Sequence, residues 1–76
     1  MSMKRMVDYH ISRLKDKRAD IRLDAIQELL LLDATEALNA LEEVYHHDAD
    51  EEVRRAAKNA GKKLFTLQLL ERDQDG

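Results

Sequence analysis

The sequence predicts an all-α fold, and three observations support this class. The 76 residues include no proline and only two glycines, one of them the last residue, so helix breakers are almost absent. Ala, Leu, Glu, Lys and Arg dominate the chain, and all of them favour helix. Apolar residues recur at intervals of three and four, whereas β-branched and aromatic residues nowhere alternate with period two.

Four helices follow from this periodicity within a single domain, residues 1–76. The first is predicted over about 3–15 and the second over about 19–32. The inward-facing positions are Met3, Val7, Ile11 and Leu14 in the first helix, and Ile21, Ala25, Ile26, Leu29 and Leu30 in the second. Leu23, Leu31 and Leu32 widen the second stripe, which indicates burial on more than one side.

The third and fourth helices are predicted over about 36–46 and 51–71. Thr35 is the expected N-cap of the third helix, and Asp50 that of the fourth, because their side-chain oxygens can accept from free backbone amides. Gly61 either weakens the fourth helix or permits the close approach of a neighbour. The apolar stripes are Ala37, Leu38, Leu41, Val44 and Tyr45, then Val53, Ala57, Ala60, Leu64 and Leu67. Residues 73–76 are expected to fray.

One short pattern occurs twice and determines how these helices are expected to assemble. Asp16 and Arg22 in the first copy correspond to Asp48 and Arg54 in the second, each displaced by 32 residues. A period of roughly 20 to 50 residues is typical of stacked repeats, in which no unit buries its apolar face alone. The sequence therefore predicts a short α-solenoid of about four antiparallel helices.

The residues of this pattern resemble the HEAT-like repeat family, in the short bacterial and archaeal form also found in phycocyanobilin lyases. The resemblance covers about residues 10–64 and consists of Asp16, Ile21-Arg22, Ala25, Ala37-Leu38, Ala40-Leu41, Asp48, Val53-Arg54 and Ala57. It implies a stack of helix pairs in which Asp16, Arg22, Asp48 and Arg54 make structural contacts between neighbouring repeats. Binding of a phosphate or carboxylate ligand by the two arginines is the alternative.

The predicted last unit consists of one helix, so the apolar residues of that helix are expected to lack cover. An uncovered apolar stripe is a candidate association surface, and we expect a homo-oligomer, most simply a two-fold dimer. The expected interface residues are Leu64, Phe65, Leu67, Leu69 and Leu70. The alternative is that residues 67–70 fold back onto the first helices.

The sequence offers no set of residues with the spacing of a catalytic or metal site. The chain has no cysteine, and neither Ser2 nor Ser12 has a histidine placed to activate it. His46 and His47 have metal-ligand chemistry, but adjacent histidines on a helix point about 100° apart and do not form a chelating pair. We therefore expect no metal, no cofactor and no enzymatic activity.

Composition favours a role in protein binding. Thirteen Lys and Arg against sixteen Asp and Glu give a net charge of −3, which disfavours nucleic acid as a partner. No signal peptide or membrane-spanning run is predicted, so the expected location is cytoplasmic. The expected function is a non-catalytic protein–protein interaction or scaffold module that self-associates through its C-terminal helix. The alternatives are an accessory of bilin or tetrapyrrole lyase type, which the resemblance implies, and a nucleic-acid-binding helical repeat.

Overall fold

The computed structural model describes the backbone of residues 2–75 and the side chains of residues 2–72. Over this range the protein is all-α, without strands, which confirms the predicted class. The four helices are α1 (Met3–Arg13), α2 (Ala19–Leu31), α3 (Leu38–His47) and α4 (Glu51–Asp75), with a 3-10 turn at Thr35–Ala37 before α3. Helix α1 ends two residues before its predicted end, whereas α4 continues past its predicted end near Glu71 to Asp75.

Helix α1 is fixed at both ends by side chains. The Ser2 hydroxyl accepts a hydrogen bond from the Arg5 amide at 3.2 Å and caps the first turn. At the other end, the Arg13 guanidinium donates to the Asp24 carboxylate on α2 at 2.6 Å and lies 2.9 Å from Nδ1 of His10. These contacts orient α1 against α2, its packing neighbour.

The chain leaves α2 through a turn with a left-handed residue. Asp33 has a φ of 52°, a conformation in which glycine or asparagine is usual. The Asp33 amide donates to the Leu30 carbonyl at 3.1 Å, and the Ala34 amide donates to the Leu29 carbonyl at 3.0 Å. This pair of bonds is the Schellman arrangement, which satisfies carbonyls at the end of a helix.

The predicted capping role of Thr35 is wrong. Thr35 begins the 3-10 turn, and α3 starts at Leu38 with Ala37 as its N-cap and without a side-chain cap. Ala34 and Ala37 are buried on either side of Thr35, so burial of two small side chains pulls this segment into a tight turn. The cap predicted for α4 is confirmed, because the Asp50 carboxylate accepts from the Val53 amide at 3.0 Å.

A single apolar core joins the elements. Helix α3 packs along α4, α4 packs also on α2, and α2 packs on α1. The buried core side chains are Val7, Leu14, Ala25, Ile26, Leu29, Ala34, Ala37, Leu41, Val44, Val53, Ala57, Ala60 and Leu64. Most predicted inward positions therefore do lie in the core.

Some apolar positions differ from their predicted environment. Leu31 is 77 % exposed, so its predicted burial is wrong, because the last turn of α2 projects this side chain away from the neighbouring helices. Met3 and Tyr45 are also exposed. Ile21 is half-buried, whereas its counterpart Val53 is fully buried, because α4 packs against both α2 and α3.

None of the helices described over residues 2–75 combines the length and the apolar character needed to cross a membrane.

Candidate interaction surface

A groove of about 600 Å³ lies between α3 and α4. Its apolar lining consists of Leu38, Leu41 and Tyr45 from α3 and Ala57, Gly61 and Phe65 from α4. Within each helix these residues are three or four positions apart, so each set forms one stripe along its helix. The two stripes face the same groove because α3 and α4 pack side by side.

Gly61 gives the groove part of its depth. A Cβ atom placed on Gly61 would meet no heavy atom within 4 Å, so the absence of a side chain is not required by packing within the chain. Glycine inside a helix is unfavourable by about 1 kcal/mol relative to alanine. Gly61 therefore lowers helix stability while leaving open space for atoms from outside the fold.

The two rims of the groove carry opposite charges. Glu36 and Glu42 lie on the α3 side, whereas Lys58 and Lys62 lie on the α4 side. The ammonium of Lys58 lies 5.9 Å from the centre of the Tyr45 ring, within the range of a cation–π interaction. An apolar floor between an acidic and a basic rim matches the surface of an amphipathic helix.

The five residues predicted to form an oligomer interface do not share one face of α4. Leu64 is 1 % exposed and belongs to the core, which corrects its predicted place in an interface, because it continues the buried stripe of the helix. Leu67 is half-buried. Phe65 and Leu69 are exposed four residues apart on one face, whereas Leu70 lies about 140° around the helix from Phe65.

Arg22 and Asp48 form a paired contact between α2 and the turn that precedes α4. The Arg22 Nε donates to Asp48 Oδ2 at 2.8 Å, and Nη2 donates to Oδ1 at 3.0 Å. The Nη1 of Arg22 donates to the carbonyls of Asp16 and Lys17 at 2.8 and 3.0 Å. The guanidinium thus joins two turns that are distant in sequence, through the rigid fork that only arginine provides.

The Asp48 carboxylate is stabilised in its charged form. Burial is the largest influence on the pKa of Asp48 and raises it, but the hydrogen bonds from Arg22 and the Asp50 amide, together with the charges of Arg22 and Arg54, lower the pKa below its ordinary value. The hydrogen bonds that Arg22 donates to Asp48 raise the pKa of Arg22. Both groups are therefore ionised throughout the neutral range.

Arg54 repeats only part of the contacts of Arg22. Its Nη1 donates to the Asp48 carbonyl at 2.6 Å, as the Arg22 Nη1 does to the Asp16 carbonyl. No acceptor for its Nε or Nη2 is found among residues 2–72. Arg54 is half-buried. The two donors with which Arg22 holds Asp48 are therefore available in Arg54.

Asp16 and Asp48 have the same local geometry. Oδ1 of Asp16 accepts from the Arg18 amide at 2.9 Å, and Oδ1 of Asp48 accepts from the Asp50 amide at 2.9 Å. Each carboxylate thus closes the turn before a helix. The Asp16 carboxylate also contacts the exposed Arg18 guanidinium at 3.1 and 3.4 Å, and these bonds lower the pKa of Asp16. The structure therefore brings Arg22 to Asp48, whereas Asp16 and Arg54 are not paired with each other.

His46 and His47 lie exposed at the end of α3. Each is 3.7 Å from the carboxylate four residues earlier, His46 from Glu42 and His47 from Glu43. These distances exceed hydrogen-bond range. Over the described residues, no three side chains of His, Asp or Glu are placed to hold one metal ion.

The groove between α3 and α4 was missed in the sequence, although a signal for it is present. Gly61 follows Leu29 by 32 residues, which is the repeat period. Leu29 is buried in the core, whereas its counterpart has no side chain. A glycine in place of a core leucine could have indicated that this face of α4 is not filled by the chain itself.

Comparison of the chain with models of protein families, with curated proteins and with solved structures found no match.

Proposed function

We propose that this chain is a non-catalytic protein–protein interaction module, built as a minimal α-solenoid, that self-associates through α4. The observation that carries the proposal is the apolar groove between α3 and α4, with Phe65 exposed at its edge. Exposed aromatic side chains beside apolar clefts are frequent anchors of protein interfaces. The proposed occupant of the groove is a helix, because both walls are helical stripes.

Repeated contacts support the solenoid part of the proposal. Arg22 and Arg54 each donate through Nη1 to a turn carbonyl six residues earlier, in Asp16 and in Asp48. Such recurrence at a fixed period is expected when each unit stacks on its neighbour in the same way. The Arg22–Asp48 pair would then be the contact between successive units.

The charges of the groove favour a protein over a nucleic acid. A phosphate backbone in the groove would meet Lys58 and Lys62 on one rim, but it would also lie against the acidic rim of Glu36 and Glu42, where like charges repel. A salt-dependent mobility shift of added DNA or RNA would instead favour the nucleic-acid alternative. A change in the absorbance of an added bilin would favour an accessory role of lyase type.

Sedimentation equilibrium of the full chain tests the proposal. We expect the average mass to exceed that of a monomer and to rise with concentration from micromolar to millimolar. Phe65→Glu is expected to weaken association at least tenfold, because it places a charge at the edge of the groove. Leu70→Glu is the matched control, since Leu70 is 55 % exposed against 53 % for Phe65 but lies on another face.

A wild-type chain that stays monomeric at millimolar concentration would contradict self-association. Equal effects of Phe65→Glu and Leu70→Glu would contradict the assignment of the interface to the groove.

A further inference from the structure

The contacts made by one face of α2 indicate which contacts are missing on the corresponding face of α4. Arg22, Ile26 and Leu29 are spaced four and three residues apart and therefore share a face of α2. Ile26 and Leu29 are buried, and Arg22 holds the carboxylate of Asp48, which directly follows α3. On this face the protein thus pairs an arginine with an aspartate that comes immediately after a helix.

The corresponding face of α4 is open. Arg54, Lys58 and Gly61 repeat the spacing of the α2 face, displaced by 32 residues. Lys58 and Gly61 line the groove between α3 and α4, and Arg54 lies on the same stripe one turn before Lys58. The Nε and Nη2 of Arg54 point to no acceptor among residues 2–72. What Arg54 lacks is therefore a carboxylate placed as that of Asp48 is placed at Arg22.

The chain itself contains a second aspartate in such a turn, Asp16, which lies three residues after the end of α1. Asp16 closes its turn through the same bonds as Asp48. Its side chain is 27 % exposed, and the Arg18 guanidinium that contacts it is 69 % exposed and can move aside. Asp16 can thus accept a second arginine without any change in the backbone of its turn.

The side of α1 that faces away from α3 carries an exposed aromatic residue, Tyr9. Ile11 and Leu14 of α1 share a smaller groove with Val44 of α3, which defines the side of α1 that faces α3. Met6 and Tyr9 lie about 140° and 160° around the helix from Ile11. Met6 is half-buried, and Arg13, which lies between the two around the helix, holds Asp24 of α2. Tyr9 is exposed and is therefore the apolar side chain that this side of α1 offers to a partner.

We infer that the groove between α3 and α4 binds α1 of a second copy of this chain, with Asp16 of the second copy on the free fork of Arg54. This inference rests on the proposed self-association and names the surface that meets α4. The contact is head-to-tail, since the two surfaces are different, and it repeats from copy to copy. Head-to-tail contacts produce open chains or rings, in contrast to the two-fold dimer that the sequence predicts.

Charges on both rims agree with this arrangement. The segment 3–15 carries four Lys or Arg and one Asp, and Arg13 among them holds Asp24 of α2. The other three cations would lie along the rim that contains Glu36 and Glu42. Asp16 of the second copy would lie on the other side, at Arg54. Cations thus meet the acidic rim and a carboxylate meets the basic one, which favours this orientation of the incoming helix.

Charge reversal at Arg54 and at Asp16 tests the inference, with association measured by sedimentation velocity of the full chain. Arg54→Asp and Asp16→Arg are each expected to weaken association at least tenfold, because each places like charges in contact. An equimolar mixture of the two variants is expected to associate again, since an intact Asp16 on one variant can meet an intact Arg54 on the other. Lys63→Asp, an exposed site of α4 outside the groove lining, is the matched control and should leave association unchanged.

Gly61→Leu provides a variant in which the fold is preserved. Its added side chain starts in open space and fills the groove, so it should reduce association with unchanged helical circular dichroism. Association of Arg54→Asp and Asp16→Arg at wild-type strength, with loss only in Phe65→Glu, would overturn the head-to-tail contact and leave the proposed self-association intact. A wild-type chain that is monomeric at all concentrations would overturn both.

Discussion

Arg22 and Asp48 face each other as two parallel forks, 2.8 and 3.0 Å apart, although 26 residues separate them in sequence. The contact places the turn before α4 directly against the start of α2. Both side chains are largely enclosed, with 13 % and 7 % of their surface exposed. Removal of either partner would therefore leave a charge in a partly desolvated site.

Replacement of Arg22 by alanine is expected to lower the free energy of unfolding by about 3 kcal/mol, as for other enclosed ion pairs that lose one partner. Arg22→Lys should recover only part of this loss, because lysine cannot donate two parallel bonds. Urea unfolding measures the free energy of unfolding of both variants. The control is Arg55→Ala, which removes an exposed pair with Glu51 and should cost about 0.5 kcal/mol or less. Similar losses for Arg22→Ala and Arg55→Ala would contradict a structural role of the pair.

Stability should decrease in acid. The pKa of Asp48 is lower in the folded chain than its ordinary value of about 3.9, so its contribution is complete above that value and is lost as pH falls through the folded pKa. The melting temperature, measured between neutral pH and about pH 2, should therefore decrease once the pH falls below about 4. Asp48→Asn should be less stable at pH 7 and should show a shallower decrease. Asp8→Asn, an exposed site, is the control. Identical pH profiles for the three proteins would refute this account of Asp48.

The left-handed conformation of Asp33 offers a stabilising substitution. Residues with a Cβ are strained at a φ of 52°, whereas glycine is not. Asp33→Gly is expected to raise the free energy of unfolding by about 1 kcal/mol, with the Schellman bonds retained. Asp33→Ala keeps the Cβ and should give no gain. A loss of stability in Asp33→Gly, measured by urea unfolding, would show that the aspartate side chain is needed at this turn.

Replacement of Gly61 by alanine tests the stability of the monomer separately from its association. Gly61→Ala should stabilise the monomer by about 1 kcal/mol, because the helix gains a better former and the new methyl group meets no atom of the chain. Unfolding must be followed at a concentration where the protein is monomeric, since association would add its own stabilisation. A destabilised Gly61→Ala would mean that a neighbouring side chain already occupies this space.

The helices and the core could be predicted from the sequence where apolar residues recur regularly. Val53, Ala57, Ala60 and Leu64 are buried at the predicted spacing. Thr35 could not be placed correctly, because burial of the alanines beside it outweighs its capping preference. Periodicity also failed for Leu31, since the number of apolar residues in a helix does not determine how many neighbours cover it.

The candidate site was predictable only in part. The Asp and Arg positions follow from the repeated pattern, and Arg22 and Asp48 do meet. The rotation of α4 about its axis decides which of the five predicted interface residues are accessible. The apolar periodicity of the sequence does not determine this for residues at the edges of the apolar stripe. The groove depended on packing between α3 and α4, for which Gly61 was the available signal.

Distances between spin labels on different copies can show whether the head-to-tail contact forms. The chain has no cysteine, so a single label can be placed at Lys17→Cys in one sample and at Arg55→Cys in another, beside Asp16 and Arg54. With a head-to-tail contact, a short distance between copies is expected only when the two labelled proteins are mixed, and longer distances are expected in each sample alone. A short distance within the sample labelled at position 55, unchanged on mixing, would place two α4 helices against each other and contradict it.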